Sequence, residues 1–244
     1  MKRLILCLLF FSALVQVGYA QDNVNVLWSE IMHVKKDKAA EFEKRLPVFL
    51  KTHFPTLSFR VYEVLTGANT GAFVLASGPY AYKEFDQPMV SPKGEAAQKA
   101  DGQALDALTE SIEVRHMRRV TAISMARPER KIKFVMATTR NIKLGSWGDI
   151  NEILVKLKAA RVAGSSKMDV DFLRPVGSGS PNLYVAIRFF DKWEDLDYEE
   201  NLSEMYDKTN GNGSWARDVA RLNELTVDAT SEMRVLRPDL STMK

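Results

Sequence analysis

The feature that most constrains this chain is an internal repeat. Set residues 26–50 over residues 134–158, and Val26-Leu27-Trp28 falls on Phe134-Val135-Met136, His33-Val34-Lys35 on Asn141-Ile142-Lys143, and Phe42, Leu46 and Phe49 on Ile150, Leu154 and Leu157. The offset is 108 without a gap. It becomes 111 further on, where Gly67-Ala68-Asn69-Thr70 meets Ser178-Gly179-Ser180-Pro181 and Phe73-Val74-Leu75-Ala76 meets Tyr184-Val185-Ala186-Ile187. Few residues are identical, but apolar positions and the turn coincide, which divides the chain into copies at 21–126 and 130–240. Pro128 and Glu129-Arg130-Lys131 fall between them as a linker. With 45% hydrophobic residues in 244, each copy has the apolar mass for a core, which excludes disordered and collagen-like chains.

Both copies spell the same order of elements. Residues 24–34 are β-branched and apolar and predict a strand; Asp37 then caps a helix carrying Phe42, Leu46, Phe49 and Leu50 at helical spacing. Pro47 inside that helix predicts a kink or an early break. A strand at 57–65, a turn at 67–71 and a strand at 72–77 make a hairpin. A helix at 95–112 and a strand at 114–123 complete the copy. The second repeats this with strands near 132–140, 168–176, 183–190 and 231–237 and helices near 147–161 and 213–228. The order β-α-β-β-α-β is the ferredoxin-like arrangement, with both helices on one face of a four-stranded sheet. The first strand is apolar on both sides, with Val26, Trp28 and Met32 on one and Leu27 and Ile31 on the other, so both sides are buried. The expected architecture is α+β: two ferredoxin-like repeats packed sheet to sheet as an α+β barrel within one chain.

The first twenty residues read as a signal peptide: Lys2-Arg3, an apolar run from 4 to 17, and small residues Gly18 and Ala20 before a polar chain begins at Gln21. The run is shorter than the roughly 20 residues of a spanning helix, and no later stretch is apolar for long enough. The expectation is a periplasmic or secreted protein cleaved after Ala20, with no integral membrane segment. Cleavage removes Lys2 and Arg3, leaving a net charge of +1, and no long Lys/Arg run remains, so nucleic acid is not an expected partner. It also removes Cys7, the only cysteine, and with it any thiolate metal site or cysteine nucleophile.

No phosphate loop, dinucleotide fingerprint, nucleophile elbow or zinc-protease helix is present, and no metal site or cofactor is expected. The histidines are His33, His53 and His116. An antiparallel pairing of strands one and four places His33 and His116 at one end of the sheet, where with Glu30 or Glu113 they form an acid–base candidate; the alternative is two surface histidines at strand ends. Trp28 and Glu30 are expected to point into the space between the two sheets, beside Met136 and Arg140, as a small-molecule site. The alternative is a Glu30–Arg140 or Glu30–Arg118 ion pair that closes the barrel. Trp28, Trp147, Trp193 and Trp215 read as core aromatics.

The stretch Arg188-Phe189-Phe190-Asp191-Lys192-Trp193-Glu194-Asp195-Leu196 resembles the end of strand three and the acidic-aromatic turn of the dimeric α+β-barrel superfamily, of the antibiotic-biosynthesis-monooxygenase-like and stress-responsive barrel type. Tyr80-Ala81-Tyr82-Lys83-Glu84-Phe85 is a weaker copy. The resemblance implies a tandem duplication of a barrel domain. It also implies a small apolar or aromatic ligand and an activity like that of cofactor-free oxygenases, haem enzymes or isomerases. The histidine that follows the motif in the enzymatic branches has no counterpart in residues 195–209, and no histidine follows His116 to hold a haem in the second copy. The other expected function is a non-catalytic exported interaction or assembly domain.

Overall fold

The computed structural model describes residues 24–86, 91–125, 132–177 and 180–243. The expected signal segment and linker lie outside them. The elements are β1 (Val24–Val34), α1 (Ala39–His53), β2 (Phe59–Val64), β3 (Phe73–Ala81), α2 (Glu95–Asp106) and β4 (Thr109–Arg119), then β5 (Phe134–Ile142), α3 (Trp147–Ala163), β6 (Val170–Pro175), β7 (Leu183–Phe190), α4 (Leu202–Asn210), α5 (Ser214–Leu225) and β8 (Thr226–Leu236). The eight strands form one closed barrel in the order β1-β3-β2-β8-β5-β7-β6-β4, and every pairing is antiparallel. The neighbour order is thus β4-β1-β3-β2 in the first half and β8-β5-β7-β6 in the second.

Local departures from the sequence reading have physical causes. α1 runs unbroken through Pro47: only the bond to the Glu43 carbonyl is forfeited, while Leu46 and Leu50 on either side are buried in the core. Lys38, not Asp37, occupies its N-cap, without a side-chain bond. α2 stops at Asp106, whose carbonyl accepts the Thr109 hydroxyl at 2.8 Å, and β4 begins at Thr109 rather than at 114. Leu105, Leu108 and Ile112 fit helical spacing, but β-branched Thr109, Ile112 and Val114 gain a ladder along β1. In the second half β8 likewise begins at Thr226, and two helices, α4 and α5, stand where one was expected.

The strand faces are assigned by the packing. Leu27 and Ile31 of β1 point into the barrel, where Tyr62, Val64, Val74, Val135, Ala137, Met117, Leu173 and Val185 fill it from both halves. Trp28 and Met32 point outward, into a layer made with Phe42, Leu46 and Leu50 of α1 and with Phe59, Val61, Phe73 and Leu75 of the sheet. The matching outer layer of the second half holds Ile150 and Leu154 of α3, Leu225 of α5 and Val170, Phe172 and Tyr184 of the sheet. The expectation that Trp28 and Glu30 face the space between the sheets is therefore corrected: alternation puts them with Met32, on the helix side.

The halves are also stitched at their ends. After β8 the chain lies along β2: Thr242 exchanges backbone bonds with Phe59, and the Ser241 hydroxyl accepts the Val61 N–H at 2.9 Å. Leu240 enters the first-half core, and Arg237 reaches Glu63 at 2.9 Å and Glu43 at 2.7 Å.

Candidate functional site

A cavity of about 310 Å³ lies in the second half, between the outer face of the sheet and its three helices. Its floor follows from strand alternation: Met136, Thr138 and Arg140 from β5, Val170 and Phe172 from β6, and Tyr184, Ala186 and Arg188 from β7. The roof is Ile153, Leu154, Leu157 and Arg161 of α3, Leu202 and Tyr206 of α4, and Trp215, Asp218, Val219 and Leu222 of α5.

α4 is what holds the roof in place. At one end the chain packs so closely that a Cβ on Gly164 would lie 2.2 Å from the Met205 side chain. There Glu200, its side chain 3% exposed, takes an ion pair from Arg161 at 2.9 Å and the Ser166 hydroxyl. From the middle of α4 the buried Tyr206 hydroxyl donates to Asp218 at 2.8 Å, and Tyr206 meets Trp215 edge to face at 5.5 Å. Burial and its bond to the Asp218 carboxylate push the Tyr206 phenol well above the ordinary value. Asp218 is answered further by Arg217 at 3.2 Å and Lys156 at 3.5 Å; Asp218 lies below the usual carboxylate range, as the Tyr206 and Arg217 hydrogen bonds and the two cations outweigh its desolvation.

Two floor positions differ electrically from this compensated rim. Tyr184 is fully buried, and its hydroxyl has no partner that meets hydrogen-bond geometry. Desolvation raises its pKa, opposed by the charge of Arg140 and by the approach of its guanidinium N–H to the phenol oxygen; the guanidinium lies 5.9 Å from the Tyr184 ring centre. Arg140 has no carboxylate partner among the described residues. Arg188, opposite Met136 at the far end of the floor, donates to the Asp195 carbonyl; burial lowers its pKa, and Glu200 and Asp195 work the other way.

The residues singled out in the sequence fall in three places. Met136 and Arg140 line the cavity, but Trp28 and Glu30 sit under the helices of the other half, so these four share no common space. Glu30 makes no ion pair with Arg140 or Arg118; Arg118 instead lies 5.4 Å from the Tyr82 ring centre. Burial and the like charge of Asp106 raise the pKa of Glu30. The Trp28 indole N–H is buried without a partner, and its ring meets Phe59 edge to face at 6.4 Å.

The expected approach of His33 and His116 does not occur. His116 pairs with Trp28 and His33 with Ser111, five steps away along the ladder, or roughly 17 Å. The cause is the early start of β4, which slides His116 to mid-sheet, where it stacks on Phe85 at 5.4 Å. His33 faces the barrel side near Glu113, which is bonded to Arg115 at 2.6 Å; that bond, with the charges of Arg115 and His33, lowers the Glu113 pKa. His53, passed over in the sequence, is buried between Ser91 at 2.7 Å and Asp101 at 2.8 Å. Those residue types match a hydrolase triad, but Ser91 is only 3% exposed and also accepts the Lys93 N–H, so the cluster fastens α1 to α2 and the loop before it. Among the described residues no group of three or more His, Cys, Asp or Glu is placed to hold a metal ion.

Sequence reasoning missed Tyr184, Arg161, Tyr206 and Trp215 as cavity residues. The signal was present in the repeat, where Leu75 aligns with Ala186 and Trp28 with Met136, each a large side chain replaced by a smaller one. The acidic-aromatic turn proves to be a capped turn: the Asp195 carboxylate accepts the Asp191 and Lys192 N–H groups, both at 3.0 Å, which lowers its pKa. Trp193, read as core, is 53% exposed. A histidine-held haem does not fit the cavity, since the three imidazoles of the chain belong to the first half.

No family model matches this chain, and no curated protein does. Solved structures do. A provisionally named monooxygenase of Lactobacillus acidophilus superposes with a TM-score of 0.57 at 10% identity, covering 90% of this chain and 96% of its own. An anthrone oxidase-like protein gives 0.54 at 9%, covering 88% and 92%. A chlorite dismutase of Candidatus Nitrospira defluvii gives 0.53 at 9%, covering 88% and 92%. Likeness at this identity is a likeness of fold, and the chain has the ferredoxin-like α+β barrel fold of these proteins.

Proposed function

We propose that the protein binds a small organic molecule with an apolar body in the helix-side cavity of its second half. The observation that carries the reading is the cavity itself: about 310 Å³, an apolar wall from sheet and three helices, and a few polar groups converging on it. That is the usual form of a small-molecule site, at the lower end of the roughly 300–1,000 Å³ range. Three of the solved structures with this fold carry oxygenase, oxidase-like or dismutase names, which agrees with a small-molecule site. Binding is better supported than an oxygenase-like or isomerase-like turnover. The one carboxylate on the wall, Asp218, is committed to Tyr206, Arg217 and Lys156, which leaves it a poor base for a substrate proton.

The test is titration with phenylnaphthylamine, a neutral aromatic probe whose fluorescence rises on desolvation. The protein should enhance it saturably, and Ala186→Phe, which fills the floor, should abolish the signal while the circular dichroism spectrum is retained. No saturable binding, or binding unaffected by Ala186→Phe, would sink the reading.

We further infer that the protein is exported and that its halves are diverged copies of one barrel unit. The leader pattern of residues 1–20 and the coincident apolar positions support these readings. N-terminal sequencing of the protein released by expressing cells should begin at Gln21; an intact Met1 would count against export.

A further inference from the structure

The proposed ligand-binding reading leaves open what kind of molecule the cavity takes, and the charges around it narrow the choice. Around the wall nearly every ionised group is answered: Arg161 by Glu200 at 2.9 Å, Asp218 by Arg217 and Lys156, and Arg188 by the Asp195 carbonyl with Glu200 near. The exception is Arg140. Among the described residues it meets no carboxylate, and its guanidinium lies over the Tyr184 ring. In the β5–β7 register Arg140 pairs with Tyr184 and Met136 with Arg188, which puts Arg140 and Arg188 at opposite ends of the floor, roughly 13 Å apart along the strands.

The second observation is independent of charge. Next to Arg140, the O–H of the fully buried Tyr184 has no acceptor: the one group near its oxygen is the Arg140 guanidinium, which can only donate. A buried donor left unmade is costly, as is a cation set against an apolar wall without a counter-charge. One occupant relieves both: an anionic oxygen at the Arg140 end, accepting from the guanidinium and from the phenol. A guanidinium is planar and presents paired donors, which suits a carboxylate or sulfonate. Between that end and Arg188 the floor offers Thr138 and Ala186 under Leu154, Leu157 and Leu222, room for an apolar body.

Resting on the binding reading above, we propose that the ligand is an organic acid: an apolar ring or chain bearing one anionic group, held at the Arg140–Tyr184 end of the cavity.

The matched probes are anilinonaphthalene sulfonate and phenylnaphthylamine, which share one aromatic skeleton and differ by the sulfonate. Both are titrated into the full-length wild type, Arg140→Gln, Arg140→Lys and the surface control Lys208→Gln. Arg140→Gln should weaken the sulfonate about tenfold, a charge-assisted bond being lost, while phenylnaphthylamine stays within about twofold. Arg140→Lys should recover most of the sulfonate affinity, and Lys208→Gln should leave it as in wild type. The proposal is overturned if Arg140→Gln weakens both probes alike, if it weakens neither, or if Lys208→Gln weakens the sulfonate as much, which would mean bulk charge. It also falls if wild type binds phenylnaphthylamine in the Ala186→Phe-sensitive manner but not the sulfonate; the cavity reading then survives alone. If phenylnaphthylamine itself fails to bind, the binding reading fails and this one with it.

Discussion

The two helix layers stand on matching ladders and differ in what fills them. In the first half the paired outer-face residues are Met32 with Phe73, Glu30 with Leu75, and Trp28 with Ser77. In the second they are Arg140 with Tyr184, Thr138 with Ala186, and Met136 with Arg188. Trp28 and Leu75 fill the first layer against Phe59 and the leucines of α1, whereas Ala186 and Met136 leave volume, and α4 helps roof it. A barrel frame therefore does not dictate a cavity. The cavity comes from a few large-to-small exchanges on one face, and the charged positions beside them set its electrostatics.

The sharpest way to break this comparison uses Leu46 and Leu154, matched in the repeat and each 3% exposed. Leu46→Ala opens a new hole in a filled layer and should cost about 3–5 kcal/mol. Leu154→Ala only widens an existing cavity, and its side chain has fewer partners to lose, so it should cost about 2 kcal/mol. Urea unfolding of both variants measures this; equal costs, or the reverse order, would mean that the second layer is as tightly packed as the first.

A smaller effect separates Glu30 from Thr138, its counterpart in the second ladder. Burial and Asp106 raise the folded pKa of Glu30 above the ordinary 4.5, so the folded state holds its proton at pH values where the unfolded chain has released it. Stability from this group is full below the unfolded pKa and is lost as pH rises through the folded one. Glu30→Gln should accordingly change little at pH 4 and stabilise the protein near pH 7. Melting curves across that range check it. A loss at neutral pH would instead indicate a cationic partner for Glu30.

Much of the fold could be read in advance because its signals are local. Apolar spacing marked β1, α1, β7 and α3 within a few residues, and the repeat marked the common order. What failed was whatever depends on long-range placement. Alternation in β1 shows that Trp28 and Ile31 take opposite sides, but a strand apolar on both faces does not say which side meets helices. Leu108 and Ile112 fit a helix as well as the start of a strand, and that ambiguity moved His116 along the ladder away from His33. α4 carries few buried apolar residues, with Tyr206 its one fully buried side chain, so its amphipathic signal is thin. The cavity was hidden because it is made by the absence of bulk at Met136 and Ala186, and a missing side chain leaves a fainter mark in a sequence than a conspicuous one such as Trp28.

The closure of the barrel has a consequence for how such a chain can change over time. β2 completes its pairing with β8 and the tail at Thr242, and β4 pairs with β6, so each half supplies the other's missing edge. A substitution at these seams is felt by both halves at once, because an unpaired edge on one side leaves its partner's backbone unpaired as well. The helix layers share less: the first takes only Leu240 and Arg237 from the tail, the second Ile123 and its neighbours from the end of the first half, and the rest of each comes from its own half. The lining of the second-layer cavity can therefore change, residue by residue, while the first layer and both seams keep the barrel folded.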